Sequence, residues 1–257
     1  MSKLAYKKEK NSKYILFDTE TTGFYEEDRI IEVGAMIFDI NGEVQILDEL
    51  CNTDIPIKSE ATLIHKISKK MIEDKCVFTD TKFYKILQSL NSQENYLIAH
   101  NMPFDLGMLE KEGFISNFRI IDTLRVAKHF LPENKSKALP YLRYSLKLYE
   151  NEKQEANKYN ITLEEHTAIG DVLVTKLLFE KLKTATKKKF PNDNVLEKME
   201  ELTKTPILLK TFIFGKYKGK KIEDIYNSDI DYINWMQENI DIDLDMKYTL
   251  DMIMLKK

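Results

Sequence analysis

Four consecutive apolar residues, Tyr14-Ile15-Leu16-Phe17, run without a break into the acid-bearing segment Asp18-Thr19-Glu20-Thr21-Thr22-Gly23. An apolar run this short, closed by a glycine, predicts a strand buried on both faces. Such a strand needs cover above and below, which calls for a sheet between helices. Because side chains alternate along a strand, Asp18 and Glu20 share one face and Thr19 takes the other. A buried strand ending in two carboxylates on one face is the tightest constraint the chain carries.

The rest of the chain supplies the sheet and its cover. Residues 29–38 (RIIEVGAMIF) and 43–50 (EVQILDEL) predict two further strands joined by a tight turn at Asn41-Gly42. Between residues 59 and 90 the pattern is helical in pieces, with Ser68 capping one piece and Thr79 or Asp80 starting another. Residues 96–99 predict a strand, followed by a helix capped by Asn101, with Pro103 in its first turn and Gly113 at its end. Residues 118–121 predict a fifth strand, and 124–130 and 139–149 two helices. The polar run 150–159 reads as a solvent loop or frayed helix end. Residues 162–182 carry the strongest helical pattern, with Ile169, Leu173, Leu177 and Leu178 three or four apart or adjacent. Strands alternating with covering helices give an α/β domain.

With 257 residues the chain has room for one large or two unequal domains. Its 43% hydrophobic share, with 13 Tyr and 13 Phe, excludes a disordered solvating chain. The net charge of -3 hides an uneven distribution, because residues 181–221 carry twelve lysines against four acids. Such a stretch can meet phosphate backbones or form a solvated helix face. Cys51 and Cys76 are too few for a disulfide framework or a thiolate metal cluster, which points to an intracellular compartment. No apolar run reaches membrane-spanning length, and the opening MSKLAYKKEKNSK lacks the apolar segment of a secretory signal. The expectation is a cytoplasmic protein with no membrane partner.

Two nearby carboxylates call for counter-charge, and the general solution is a hard divalent cation such as Mg2+ or Mn2+. Two further acids follow in the segments His100-Asn101-Met102-Pro103-Phe104-Asp105 and His166-Thr167-Ala168-Ile169-Gly170-Asp171. Asp105 falls in the first turn of a helix, where the amide dipoles favour an anion. His166 and Asp171 are five positions apart and do not share a helical stripe, so His166 is expected at or before the helix start and Asp171 inside it.

In order and spacing these motifs resemble the DEDDh 3′-to-5′ exonucleases, a family of ribonuclease-H-like fold that includes the proofreading subunits of DNA polymerases. The resemblance spans about residues 12–180 and includes Glu32-Val33-Gly34, Ile64-His65-Lys66-Ile67 and Ile121-Asp122-Thr123-Leu124. One departure is Lys66, where the family often has glycine. The resemblance implies a mixed five-stranded sheet flanked by helices. It also implies two Mg2+ or Mn2+ ions per active site held by Asp18, Glu20, Asp105 and Asp171, with His166 as general base. Thr21, Thr22, His65, His100 and Asn101 become candidate contacts to the terminal nucleotide. Phe24 or Phe104 could stack on a frayed base, against the alternative that each is core. For His65 and Asp122, packing or loop hydrogen bonds are at least as good an account.

The segment FIFGKYKGKKIEDI followed by DYINWMQEN resembles the small C-terminal module of exodeoxyribonuclease X-type proteins. Gly215 and Gly219 bracket a turn from which Lys216, Tyr217, Lys218, Lys220 and Lys221 could meet nucleic acid, while Trp235 is expected to anchor the module's core. Three segments result: an exonuclease domain over 12–186, a basic helical linker over 187–205 and a small module over 206–257. The expected activity is a 3′-to-5′ exodeoxyribonuclease of DNA repair or proofreading, acting on single-stranded or frayed 3′ ends, with a polymerase or repair protein as a conceivable partner. The rivals are a 3′-to-5′ exoribonuclease and a noncatalytic nucleic-acid-binding protein.

Overall fold

The computed structural model describes residues 12–39, 42–163 and 167–255. Three strands form an antiparallel meander: β1 (Lys13–Thr21), β2 (Ile30–Asp39) and β3 (Val44–Leu50). Of the predicted turn, Asn41 lies outside the described residues; Gly42 has φ +84°, a conformation that glycine adopts without strain. Helices α1 (Ser59–His65) and α2 (Lys69–Ile72) follow, then a 3-10 turn (Phe78–Asp80) and α3 (Lys82–Leu90). The cap of α3 is Thr81, which accepts from the Tyr84 amide at 3.2 Å, one or two residues beyond the predicted start.

Strand β4 (Tyr96–Ala99) leads to α4 (Met102–Lys111), and β5 (Arg119–Asp122) to α5 (Thr123–Phe130). The sheet order is β3-β2-β1-β4-β5, with β4 parallel to both β1 and β5. This is the mixed five-stranded ribonuclease-H-like sheet. Asn101 does not cap α4 with its side chain; it takes a left-handed conformation (φ 77°), and its amide donates to Asp122 Oδ1 at 3.1 Å.

Two helices, α6 (Leu139–Ser145) and α7 (Tyr149–Tyr159), replace the single predicted helix and the polar loop after it. Helix α7 has almost no apolar stripe, and ion pairs hold it instead. Glu152, nearly buried, receives Arg143 Nε at 2.7 Å and Nη2 at 2.6 Å, and Glu155 pairs with Lys176. Helix α8 (Ala168–Lys189) begins six residues later than the apolar pattern predicts and runs through the lysine-rich stretch.

Helix α9 (Val195–Lys204) packs Met199 and Leu202 into the same core as α8, and Arg119 bridges to Glu200 at 2.6 Å. Residues 187–205 are therefore mostly built onto the nuclease domain rather than forming a linker. The chain divides into two compact units, one up to Thr203 and one from Lys204.

The first unit has a core on each face of the sheet. Tyr14, Leu16, Met36 and Ile98 pack against Leu173 and Leu178 of α8, while Ile15, Phe17, Val33 and Leu97 pack against Phe83 of α3 and Leu109 of α4. The second unit contains α10 (Ile222–Ser228), α11 (Ile230–Asn239) and α12 (Leu244–Met254). Its core is Phe212, Ile222, Ile233, Met236, Ile242, Met246 and Leu250. Trp235 is not its anchor: α11 turns Ile233 and Met236 inward, which leaves Trp235 50% exposed. Among the described residues no helix is long and apolar enough to cross a membrane.

Candidate active site

The alternation of β1 distributes the acids. Tyr14 and Leu16 face α8, so Asp18 and Glu20 continue on that side; Ile15 and Phe17 face α3 and α4, so Thr19 continues on the other. Asp171, in the first turn of α8, meets Asp18 and Glu20, and one carboxylate oxygen of each lies within 4.8 Å of the others. Across the strand Thr19 Oγ1 donates to Asp105 Oδ1 at 2.8 Å, a buried bond that fixes the α4 carboxylate against β1. Asp105 stands outside the tight trio, yet among the neighbouring charges it acts most strongly on Asp18.

Two residues of β2 set the spacing. Gly34 pairs with Asp18 across the sheet, and a Cβ there would fall 2.3 Å from the Ile169 amide nitrogen and 2.4 Å from the Ala168 carbonyl carbon. Only glycine lets the start of α8 come this close to the strand. Glu32 pairs with Glu20, is buried, and accepts from the Ala168 amide through Oε2 at 3.1 Å. Together with Thr167, whose side chain accepts from the Gly170 amide at 3.2 Å, it caps the helix that carries Asp171.

The acids repel one another out of water. Burial, followed by the charges of Asp105, Asp171, Glu20 and Glu32, holds the Asp18 carboxyl well above the usual range. Burial and then Asp171 push Glu20 up to about 8. Burial pushes Asp105 up to about 7 against the opposing hydrogen bond from Thr19. Hard oxygen donors gathered this closely fit a divalent cation such as Mg2+ or Mn2+, whose binding returns each group to its ionised form. His166 lies outside the described residues.

The candidate nucleotide contacts separate into two groups. Thr21 Oγ1 donates to the Gly23 carbonyl at 2.7 Å and Thr22 Oγ1 to Asp28 Oδ1 at 2.8 Å, so both hydroxyls hold the loop. That loop is tied further by fully buried Asp28, which receives Lys58 Nζ at 2.7 Å. His100 Nε2 meets the Lys137 carbonyl at 2.8 Å and Nδ1 meets Thr123 Oγ1 at 2.9 Å. With both ring nitrogens engaged inside the protein, His100 ties the end of β4 to α5.

His65 and Asn101 keep polar atoms to offer. His65 Nδ1 accepts from the Ile67 amide at 2.9 Å, while Nε2 is buried near the Thr21 main chain and completes no hydrogen bond. The Asn101 side chain is exposed and caps nothing. Phe24 is not core: it is 66% exposed, with its ring centroid 5.9 Å from that of Phe104. Lys66 has φ 62°, so the departure from the family's glycine places a lysine in the left-handed C-cap of α1. In the second unit Lys218, Lys220 and Lys221 are exposed, whereas Lys216 and Tyr217 both bond Asp229.

Glu32, Gly34, Thr19 and Asp28 are the site residues that motif reading misses as such. An acid and a glycine inside the otherwise apolar stretch 29–38 are the available signal, since a buried strand tolerates neither without a partner.

The comparisons with known proteins agree with this geometry. An exonuclease family model matches residues 15–179, and an exodeoxyribonuclease X-like C-terminal model matches 212–241. The chain is 30% identical over 234 residues to exodeoxyribonuclease 10 of Escherichia coli (strain K12), covering 88% of this chain and 91% of that one. Among solved structures it resembles exonuclease X in complex with 5′-overhanging duplex DNA, with a TM-score of 0.55 at 23% identity, covering 74% of this chain and 99% of that one. It also resembles Escherichia coli exonuclease I in complex with a dT13 oligonucleotide, with a TM-score of 0.51 at 19% identity, covering 70% and 43%. The chain thus belongs to the DEDDh exonuclease family and carries an exodeoxyribonuclease X-like C-terminal module.

Proposed function

We propose that this chain hydrolyses the terminal phosphodiester at 3′ ends of DNA and releases nucleoside 5′-monophosphates one at a time, in DNA repair or proofreading. The observation that carries the reading is the convergence of Asp18, Glu20 and Asp171 beside Asp105. Similarity to an exodeoxyribonuclease over both the nuclease domain and the C-terminal module favours DNA over RNA.

The four acids would hold two Mg2+ or Mn2+ ions. When bound, such ions lower the pKa of water and stabilise the charge that develops on the leaving oxygen. The protein's part is placement. β1 presents Asp18 and Glu20, the capped start of α8 presents Asp171, and Thr19 fixes Asp105. His166 takes the proton of the attacking water; an imidazole with an unperturbed pKa near 6.5 is a competent base at neutral pH. The main chain from Glu20 to Thr22 seats the terminal nucleotide, His65 Nε2 and the Asn101 side chain supply polar contacts, and exposed Phe24 stacks on the last base.

Matched 5′-labelled single-stranded DNA, frayed duplex DNA and RNA decide the substrate class. The expected result is a metal-dependent stepwise ladder on DNA. A ladder on RNA alone establishes the exoribonuclease, and binding to DNA without any ladder establishes a noncatalytic protein.

A further inference from the structure

The single tryptophan of the chain stands out of the core of the second unit. Burying the whole ring would stabilise the unit further, and an aromatic left half in water is a feature of ligand surfaces. Trp235 also ends a chain of rings. Tyr217 and Tyr232 meet edge to face at 4.9 Å and 88°, and Tyr232 stacks on Trp235 at 5.9 Å and 29°.

The ring chain is locked to the basic turn. One carboxylate, Asp229, accepts from the Tyr217 hydroxyl, from Lys216 Nζ at 3.1 Å and from the Tyr232 amide at 3.2 Å. Gly215 (φ +72°) lets the turn close on Tyr232, whose hydroxyl would lie 2.6 Å from a Cβ at that position. Lys216 Nζ lies 5.8 Å from the centre of the Tyr232 ring, so it is no more than about 12 Å from the Trp235 ring. At about 3.4 Å of axis per nucleotide, and more when a strand is stretched, that reach spans a few nucleotides. Lys218, Lys220 and Lys221 are exposed on the same turn.

We propose that Trp235 is a stacking platform for a base of single-stranded DNA, with the lysines of the 216–221 turn holding phosphates of the same strand. Ring faces and cations together bind any sequence, as a nuclease that degrades whatever strand it meets requires. Asp229 and Gly215 fix the ring in place beforehand, so little conformational freedom is lost on binding. The proposal rests on the nucleic-acid substrate put forward above.

Because the chain has one tryptophan, fluorescence excited at the red edge, where its 13 tyrosines do not absorb, reports on Trp235 alone. The full-length protein, in chelator to prevent digestion, is titrated with oligothymidylate while the anisotropy of the labelled strand records binding. Saturable quenching that tracks the anisotropy is expected. The Trp235→Ala variant should bind the strand about tenfold more weakly or worse, with Trp235→Phe in between. Binding without any change in fluorescence overturns the platform, and the wild-type titration decides this even if a variant fails to fold. Equal quenching by polyglutamate, which brings charge without bases, also overturns it and points to an acidic protein partner. Digestion in Mg2+ on the same samples separates the two readings: a ladder without quenching sinks only the platform, and quenching without a ladder sinks only the nuclease.

Discussion

Gly34 lies where the start of α8 leaves no room for a side chain, and Gly34→Ala tests the consequence. The added Cβ would lie 2.3 Å from the Ile169 amide nitrogen, whereas ordinary contact begins near 3.4 Å. Both obstructing residues contribute main-chain atoms, so strand and helix must separate by about 1 Å. Gly34 pairs with Asp18 and the helix carries Asp171, so the separation opens the Asp18–Asp171 gap directly. It also stretches the 3.1 Å bond between the Ala168 amide and Glu32. Overpacking of this kind costs about 1–3 kcal/mol, here toward the upper end, and lowers the melting temperature by roughly 5–10 °C. A misplacement of about 1 Å costs on the order of 100-fold in rate. The control is Gly107→Ala, where a Cβ meets nothing within 4 Å and helix propensity favours alanine by up to about 1 kcal/mol. Melting curves and stepwise digestion of 5′-labelled DNA are measured on both. If Gly34→Ala matches the control in melting temperature and rate, the close approach does not set the site geometry.

Three further outcomes follow from the same geometry. The folded state holds protons on Glu20 up to about pH 8 and on Asp105 up to about pH 7, which an unfolded chain releases near pH 4. Stability of the metal-free protein is therefore fully present below pH 4 for these groups and is lost, by up to a few kcal/mol, as pH rises to 8. Calorimetry in chelator should show this fall, with Mg2+ or Mn2+ raising the melting temperature more at pH 8 than at pH 5; a metal effect of equal size at both would contradict it. Thr19→Val keeps the shape but removes the donor to Asp105, so it should destabilise by about 1–3 kcal/mol at pH 8 and less at pH 6, where that carboxyl is protonated. Unfolding curves that shift equally at both pH values would disprove the role of this bond. Glu32→Gln keeps an acceptor for the Ala168 amide and removes one negative charge acting on Asp18 and Glu20. It should hold or raise metal-free stability while weakening divalent-ion affinity severalfold, whereas Glu32→Ala should also lose about 1 kcal/mol of helix capping; identical behaviour of the two would count against the cap.

Much of this architecture is legible in the amino-acid sequence because local rules decide it. The period of two along β1 places Asp18 and Glu20 together, and the strand-helix alternation gives the layered α/β domain. What is not legible depends on partners far apart in the chain. Helix α7 reads as loop because its support is Arg143 and Lys176 rather than an apolar stripe. The lysine-rich stretch reads as a linker, although Met199 and Leu202 reach the core from its far side. The hydrogen bond of His100 to the Lys137 carbonyl joins residues 37 apart. Glu32 meets Ala168 across 136 residues, which no local pattern announces. Trp235 misleads because the size of an aromatic suggests burial, while the phase of α11 turns it outward.

The central claim is that Asp18, Glu20, Asp105 and Asp171 gather divalent cations for removal of nucleotides from 3′ ends. Its most direct measurement is the digestion of one 5′-labelled DNA strand by wild type and by Asp18→Asn as Mn2+ is raised from a chelated start. The account predicts a ladder that shortens from the 3′ end as metal is added, is absent in chelator, and is lost in the variant at every metal concentration. A ladder in chelator, or one undiminished in Asp18→Asn, contradicts it.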